Sequence, residues 1–141
     1  MKSVSLLFLS ILVFSCGTKK AIVLEKPLFE VLTQQPDGGG NIHFFEIVST
    51  SDEFRMLQGD EKLKGKITPN DINGSNFLIL NMGEKSINGC SINVTEVQET
   101  EKNIIVTVKE IEPDANGFAT LEYVYPYSII KINSKKEIIF K

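Results

Sequence analysis

A mainly β, α+β fold is predicted for this chain: an antiparallel β-sandwich or partly open barrel with one short helix near 51–58. Three observations predict it. Short runs rich in Val, Ile, Phe and Thr recur between clusters of Gly, Pro, Asn and Asp, which is how strands and their turns read. One stretch, Phe77 to Val97 (FLILNMGEKSINGCSINVTEV), joins an apolar run to an alternating one. After residue 27, a single segment combines a helix start signal with helical apolar spacing.

The stretch 77–97 organises the rest. Phe77-Leu78-Ile79-Leu80 reads as a central strand buried on both faces. A polar, Gly-containing turn follows. Cys90, Ile92 and Val94 then alternate with Ser91, Asn93 and Thr95, which predicts a partner strand with one face toward solvent.

Upstream, Leu28 to Leu32 reads as a first strand, closed by Gln34 to Gly40 (QQPDGGG). The triple glycine opens no helix, so it is a flexible turn rather than a phosphate cradle. Asn41 to Ser49 (NIHFFEIVS) is a second strand, with Ile42, Phe44 and Glu46 on one side and His43, Phe45 and Ile47 on the other. Thr50-Ser51-Asp52-Glu53 has capping-box spacing, Phe54 and Leu57 follow at helical spacing, and Gly59 stops the helix. That helix is expected to cover one open end of a sheet. Gln58 to Ser75 is polar and predicts a loop, with a short strand near Lys66-Ile67-Thr68.

Downstream, Asn103 to Ile111 (NIIVTVKEI) is a β-branched strand reached through a turn at Thr100 to Asn103. Pro113 to Gly117 is a further turn, and Phe118 to Tyr125 alternates. Pro126 has no amide to donate, so an edge or bulge is expected there. Ser128 to Ile132 and Glu137 to Phe140 end the chain, with Asn133 to Lys136 as their hairpin.

The N-terminal end has a different character. Lys2 precedes Val4 to Phe14 (VSLLFLSILVF), an apolar run shorter than the roughly 20 residues a spanning helix needs. It has the form of a secretory signal peptide. Val13-Phe14-Ser15 directly before Cys16 resembles the lipobox of bacterial lipoproteins. In those proteins the thiol is diacylglycerylated, the peptide is cut before it, and the new amine takes a fatty acyl chain such as palmitate. The division expected is a signal peptide at 1–15, lipidated Cys16 with a tether to residue 27, and a single β-rich domain at 28–140. Membrane attachment then comes from the acyl chains. The basic Lys19-Lys20 after Cys16 favours an outer membrane location facing the periplasm. With Cys16 on lipid, Cys90 stands alone and no disulfide can form within the chain.

Composition and motifs exclude several chemistries. A formal net charge of −3 gives no reason to expect nucleic acid. His43 is the one histidine, which rules out sites built on several imidazoles, and neither HExxH nor GxSxG occurs. Asp71 to Asn76 (DINGSN) lacks the EF-hand pattern and its Glu. The paired carboxylates at Asp52-Glu53, Asp60-Glu61, Glu99 with Glu101 and Glu110 with Glu112 read as solubilising charge. Cys90 with His43 is a conceivable nucleophile pair, but Cys90 shares a face with Ile92 and Val94, where a small apolar filler belongs. No catalytic residue, metal or cofactor is expected.

A resemblance sharpens this. The helix Ser51–Gln58 comes first, followed by Asp71-Ile72 and Asn76-Phe77-Leu78-Ile79-Leu80. Gly83-Glu84-Lys85, Asn88-Gly89-Cys90-Ser91-Ile92 and Tyr125-Pro126-Tyr127-Ser128-Ile129-Ile130-Lys131 complete the order. This order resembles the PrcB C-terminal domain family across roughly 42–140. These are bacterial lipoproteins or secreted proteins named after an accessory component of a surface protease complex. The resemblance implies an envelope protein that binds and stabilises or modulates a protease without chemistry of its own. Where the family has Thr-Gly-Gly-Tyr, this chain has Ile87-Asn88-Gly89-Cys90, so the aromatic is lost and Asn88 stands where a positive φ is expected. The candidate partner surface is Gly83, Glu84, Lys85, Asn88 and Gly89 with Tyr125 and Tyr127.

Two further readings stand beside it. Tyr123, Tyr125 and Tyr127 share a parity and could line a surface for a glycan or small ligand. A direct protease inhibitor would also present hairpin loops, although the Asn-Pro-Thr-Thr-Gly loop of immunoglobulin-like cysteine protease inhibitors is absent.

Overall fold

Strand β3 (Asn76–Met82) is buried along both faces, as its apolar run dictates, and the fold is assembled on it. The computed structural model describes residues 26–114 and 119–141, without the side chains of 119–121. The predicted signal peptide, Cys16 and most of the tether lie outside the described residues, as do residues 115–117 of the predicted turn.

Among the described residues nine strands form three sheets. Strand β1 is Phe29–Gln35, β2 His43–Val48, β4 Lys85–Ile87, β5 Ser91–Glu99 and β6 Asn103–Ile111. Strand β7 is Ala119–Val124, β8 Tyr127–Ile132 and β9 Glu137–Phe140. The largest sheet has the order β1-β8-β3-β2, all antiparallel. A second has the order β5-β6-β9, with β5 and β6 an antiparallel hairpin and β9 parallel to β6. The third is a ribbon of β4 and β7.

The fold is mainly β with antiparallel sheets, as predicted, and among the described residues no sheet closes into a barrel. The two larger sheets lie face to face. Leu78, Leu80 and Met82 of β3 and Ile130 and Ile132 of β8 share one apolar cluster with Ile92 and Val94 of β5, Ile104 and Val106 of β6, and Cys90. Cys90, Ile92 and Val94 therefore face inward together, as their alternation requires.

The other face of the four-stranded sheet has its own cover. Helix α1 (Ser51–Gln58) lies there, and Phe54 and Leu57 join Leu32, Val48, Phe77, Tyr127 and Ile129 in a second cluster. The capping box is complete: Glu53 N donates to Thr50 Oγ1 at 3.4 Å, and Glu53 Oε2 accepts from Thr50 N at 3.1 Å. The helix covers a face rather than the open end expected. It has to, because β3 and β8 are apolar on both sides.

Three expectations are corrected. No strand forms near Lys66-Ile67-Thr68; a 3₁₀ turn at Glu61–Leu63 and a single turn α2 (Asp71–Gly74) occupy the segment. They set Leu63 and Ile72 into the second cluster. Strands β3 and β5 do not pair, because β2 and β8 take both edges of β3. Nor do β8 and β9 form a hairpin: β8 is filled on both edges by β1 and β3, so β9 crosses to β6.

Candidate partner-binding surface

At the end of β3 the chain must leave the sheet without a side chain. Gly83 takes φ +74, and a Cβ there would sit 2.8 Å from His43 N. Glu84 N then donates to Asn41 O at 3.2 Å. The Glu84 carboxylate accepts from the Tyr125 hydroxyl at 3.3 Å. Partial burial of Tyr125 and the Glu84 charge, in that order, push its phenol above the ordinary value. Gly83, Glu84 and Tyr125 are thus brought together as the sequence suggested.

Tyr125 also anchors the glycine loop. Its amide donates to Asp37 Oδ1 at 2.9 Å, and its carbonyl accepts from Gly39 N at 2.8 Å. Asn81, 1% exposed, accepts from Gly40 N at 3.0 Å and donates to Gly40 O at 2.8 Å and Ile42 O at 2.5 Å. A Cβ on Gly39 would fall 2.1 Å from Asn81 Oδ1. The triple glycine is not the flexible turn expected; it is a close approach of backbone to a buried amide. Asn81 was missed, and its signal was a lone amide side chain in the apolar run FLILNM.

Lys85 pairs with Glu112, and that bond is the main cause holding its ammonium above the ordinary value. Asn88 and Gly89 are exposed in the next turn. The left-handed position there is Gly89, φ +90; no residue other than glycine has positive φ among the described residues, so Asn88 does not take that role.

Tyr127 stands apart. It is 9% exposed, lies in the cluster under helix α1, and its hydroxyl accepts from Lys62 Nζ at 3.3 Å. It supports Gly38 from beneath, 3.6 Å from where a Cβ would be, and does not face solvent with Tyr125. Tyr123 is 60% exposed, so the three tyrosines do not line one surface despite their parity. Pro126 breaks the alternation between two sheets.

Cys90 and His43 do not pair. The Cys90 thiol is buried, donates to Ile87 O at 3.3 Å, and is pushed up by burial first and then by Glu112. The His43 ring reaches Glu110 at 2.6 Å. Among the described residues no three His, Cys, Asp or Glu gather to hold a metal ion, and no helix is long and apolar enough to cross a membrane.

What this arrangement can offer is a hydrogen-bonded loop cluster: Asp37, the glycines, Glu84 and Tyr125 at one end of the sandwich. Residues 77–133 match the PrcB C-terminal family. The matched span is shorter than the 42–140 of the resemblance, and it opens on β3 and closes after β8. The matched segment holds Gly83 to Gly89 and Tyr125, but takes β1 and β2 from outside the match as the outer strands of its sheet. Neither the curated proteins nor the solved structures offer a match to the chain.

Proposed function

We propose that this chain is a lipid-anchored accessory protein of the bacterial cell envelope. It binds a protease or protease complex and stabilises or modulates it without chemistry of its own. The match of residues 77–133 to the PrcB C-terminal family carries this reading, through the accessory role that family implies. The anchor is Cys16, on an outer membrane facing the periplasm. The contact surface is Glu84, Lys85, Asn88, Gly89 and Tyr125, set out from the buried Gly83, where Tyr125 and Glu84 are held in place by Gly39 and Asn41. An ordered loop of this kind loses little conformational freedom on binding.

Affinity capture of the lipidated chain from detergent-solubilised envelopes tests it. A protease recovered by the native chain and lost with Glu84→Lys/Tyr125→Ala is the expected result. Equal recovery by both would sink the surface, and no reproducible partner would sink the function.

A further inference from the structure

The edges of the two larger sheets are not equally protected. An edge strand presents unpaired amides and carbonyls, and proteins blunt it with bulges, Lys, Pro or short length. Strand β1 has a bulge between Val31 and Thr33 and a side-chain bond from Asn93 of β5 to Gln34. Strand β5 has a bulge between Val94 and Glu96, and β9 is four residues long. Strand β2 has none of these. Its six residues, HFFEIV, run in unbroken register with β3 and contain no Lys, Arg or Pro.

The outward edge of β2 bonds to no strand among the described residues. Phe44 is exposed beside it, and Glu46 has no ion pair among the described residues. At its C-terminal end a groove opens between the two sheets, with Ile47 and Ser49 on one wall and Lys135, Lys136, Glu137 and Ile138 on the other. Both ammonium groups there are already engaged, Lys135 by Ser49 O just past β2 and Lys136 by Glu99. Asn76 also lines it, and Asn76 Oδ1 is a buried acceptor without a donor.

We propose that β2 is a strand-addition edge. It takes an extended segment of a partner protein in which apolar side chains alternate with Lys or Arg. Main-chain bonds to the free edge supply affinity, and alternate side chains supply selectivity. The apolar set enters the groove between Ile47 and Ile138. The basic set lies beside Glu46 and over the Phe44 ring, where opposite charge and ring face both favour a cation. A second copy of β2 would bring Phe44, Glu46 and Val48 to that face and no cation, so it is not the occupant the charges favour. This inference does not rest on the protease reading, since it uses neither Glu84 nor Tyr125.

The test is titration of the full chain in detergent with an eight-residue peptide alternating Leu and Lys, read by amide hydrogen exchange. Slowed exchange at alternate amides of His43–Val48 is expected. Glu46→Lys should weaken the Lys peptide on the order of tenfold and favour a Leu–Glu peptide instead. A peptide N-methylated at alternate residues should not bind. Protection mapped elsewhere, indifference to N-methylation or charge reversal, or no binding at millimolar peptide each overturns the proposal. So does protection of β2 by self-association without peptide, which would assign the edge to a second copy.

Discussion

The ammonium of Lys131 on β8 lies 2.8 Å from the carboxylate of Asp71 on α2, joining the middle of the four-stranded sheet to the turn that covers it. Lys131 is 7% exposed, so its charge is compensated inside the fold. Removing one partner of a buried pair costs about 3–5 kcal/mol, and Asp71→Asn should fall toward the lower end because the pair is not fully enclosed. Asp71→Ala/Lys131→Met should lose less than the sum of the single changes. Urea unfolding of the four proteins measures this coupling.

The same carboxylate sets an acid limit. Burial is the largest influence on Asp71 and pushes it up, but the Lys131 bond, the Thr68 amide and the Lys131 charge together hold it below the ordinary 3.8. A lowered native value means that the stabilisation is complete above the ordinary carboxylate range and is lost as pH falls through the native value. Unfolding midpoints should drop on acidification below about pH 4, and the drop should be smaller in Asp71→Asn.

The glycines give a graded series. Gly65, φ +76, has nothing within 4 Å of where a Cβ would stand, so Gly65→Ala should cost only the left-handed backbone, about 1–2 kcal/mol. Gly83→Ala adds a collision with His43 N and should cost more. Gly89→Ala meets the Pro113 ring edge at 3.0 Å and should fall between them. Thermal unfolding of the three variants checks that order.

Helix α1 depends on its cap. Thr50→Ala removes the bond to Glu53 N and should cost about 1 kcal/mol in the unfolding free energy.

Cys90 should be silent in the native state. Its burial and raised thiol value predict no reaction with Ellman's reagent at pH 8 until the chain is unfolded in denaturant. Cys16→Ala should move the protein from the membrane to the soluble fraction and abolish incorporation of labelled palmitate.

What could be read in the residues was what is local. The bounds of α1 were legible because the capping box and Gly59 lie within a few residues of it. The bounds of β6 were legible from its β-branched run, and the inward set Cys90, Ile92 and Val94 from a period of two. Pairing was not legible. Nothing near Asn133 to Lys136 says that both edges of β8 are already taken by β1 and β3, so β9 looked like a hairpin partner. The turns at Glu61–Leu63 and Asp71–Gly74 are too short for any periodicity to show. At the surface, Glu84 and Tyr125 were legible as neighbours in motif order, whereas the burial of Tyr127 follows from a change of sheet at Pro126.

Among the described residues strand β1 forms its ladder with β8 alone, and Phe29 finds its ladder partner in Ile132. A ribosome or secretion channel that delivers the chain from its N-terminal end must release residue 132 before that first ladder can zip. Contacts so distant along the chain slow the search for the native arrangement. The four-stranded sheet is therefore completed only once Tyr127–Ile132 has been delivered, and until then Phe29–Gln35 waits without its ladder partner.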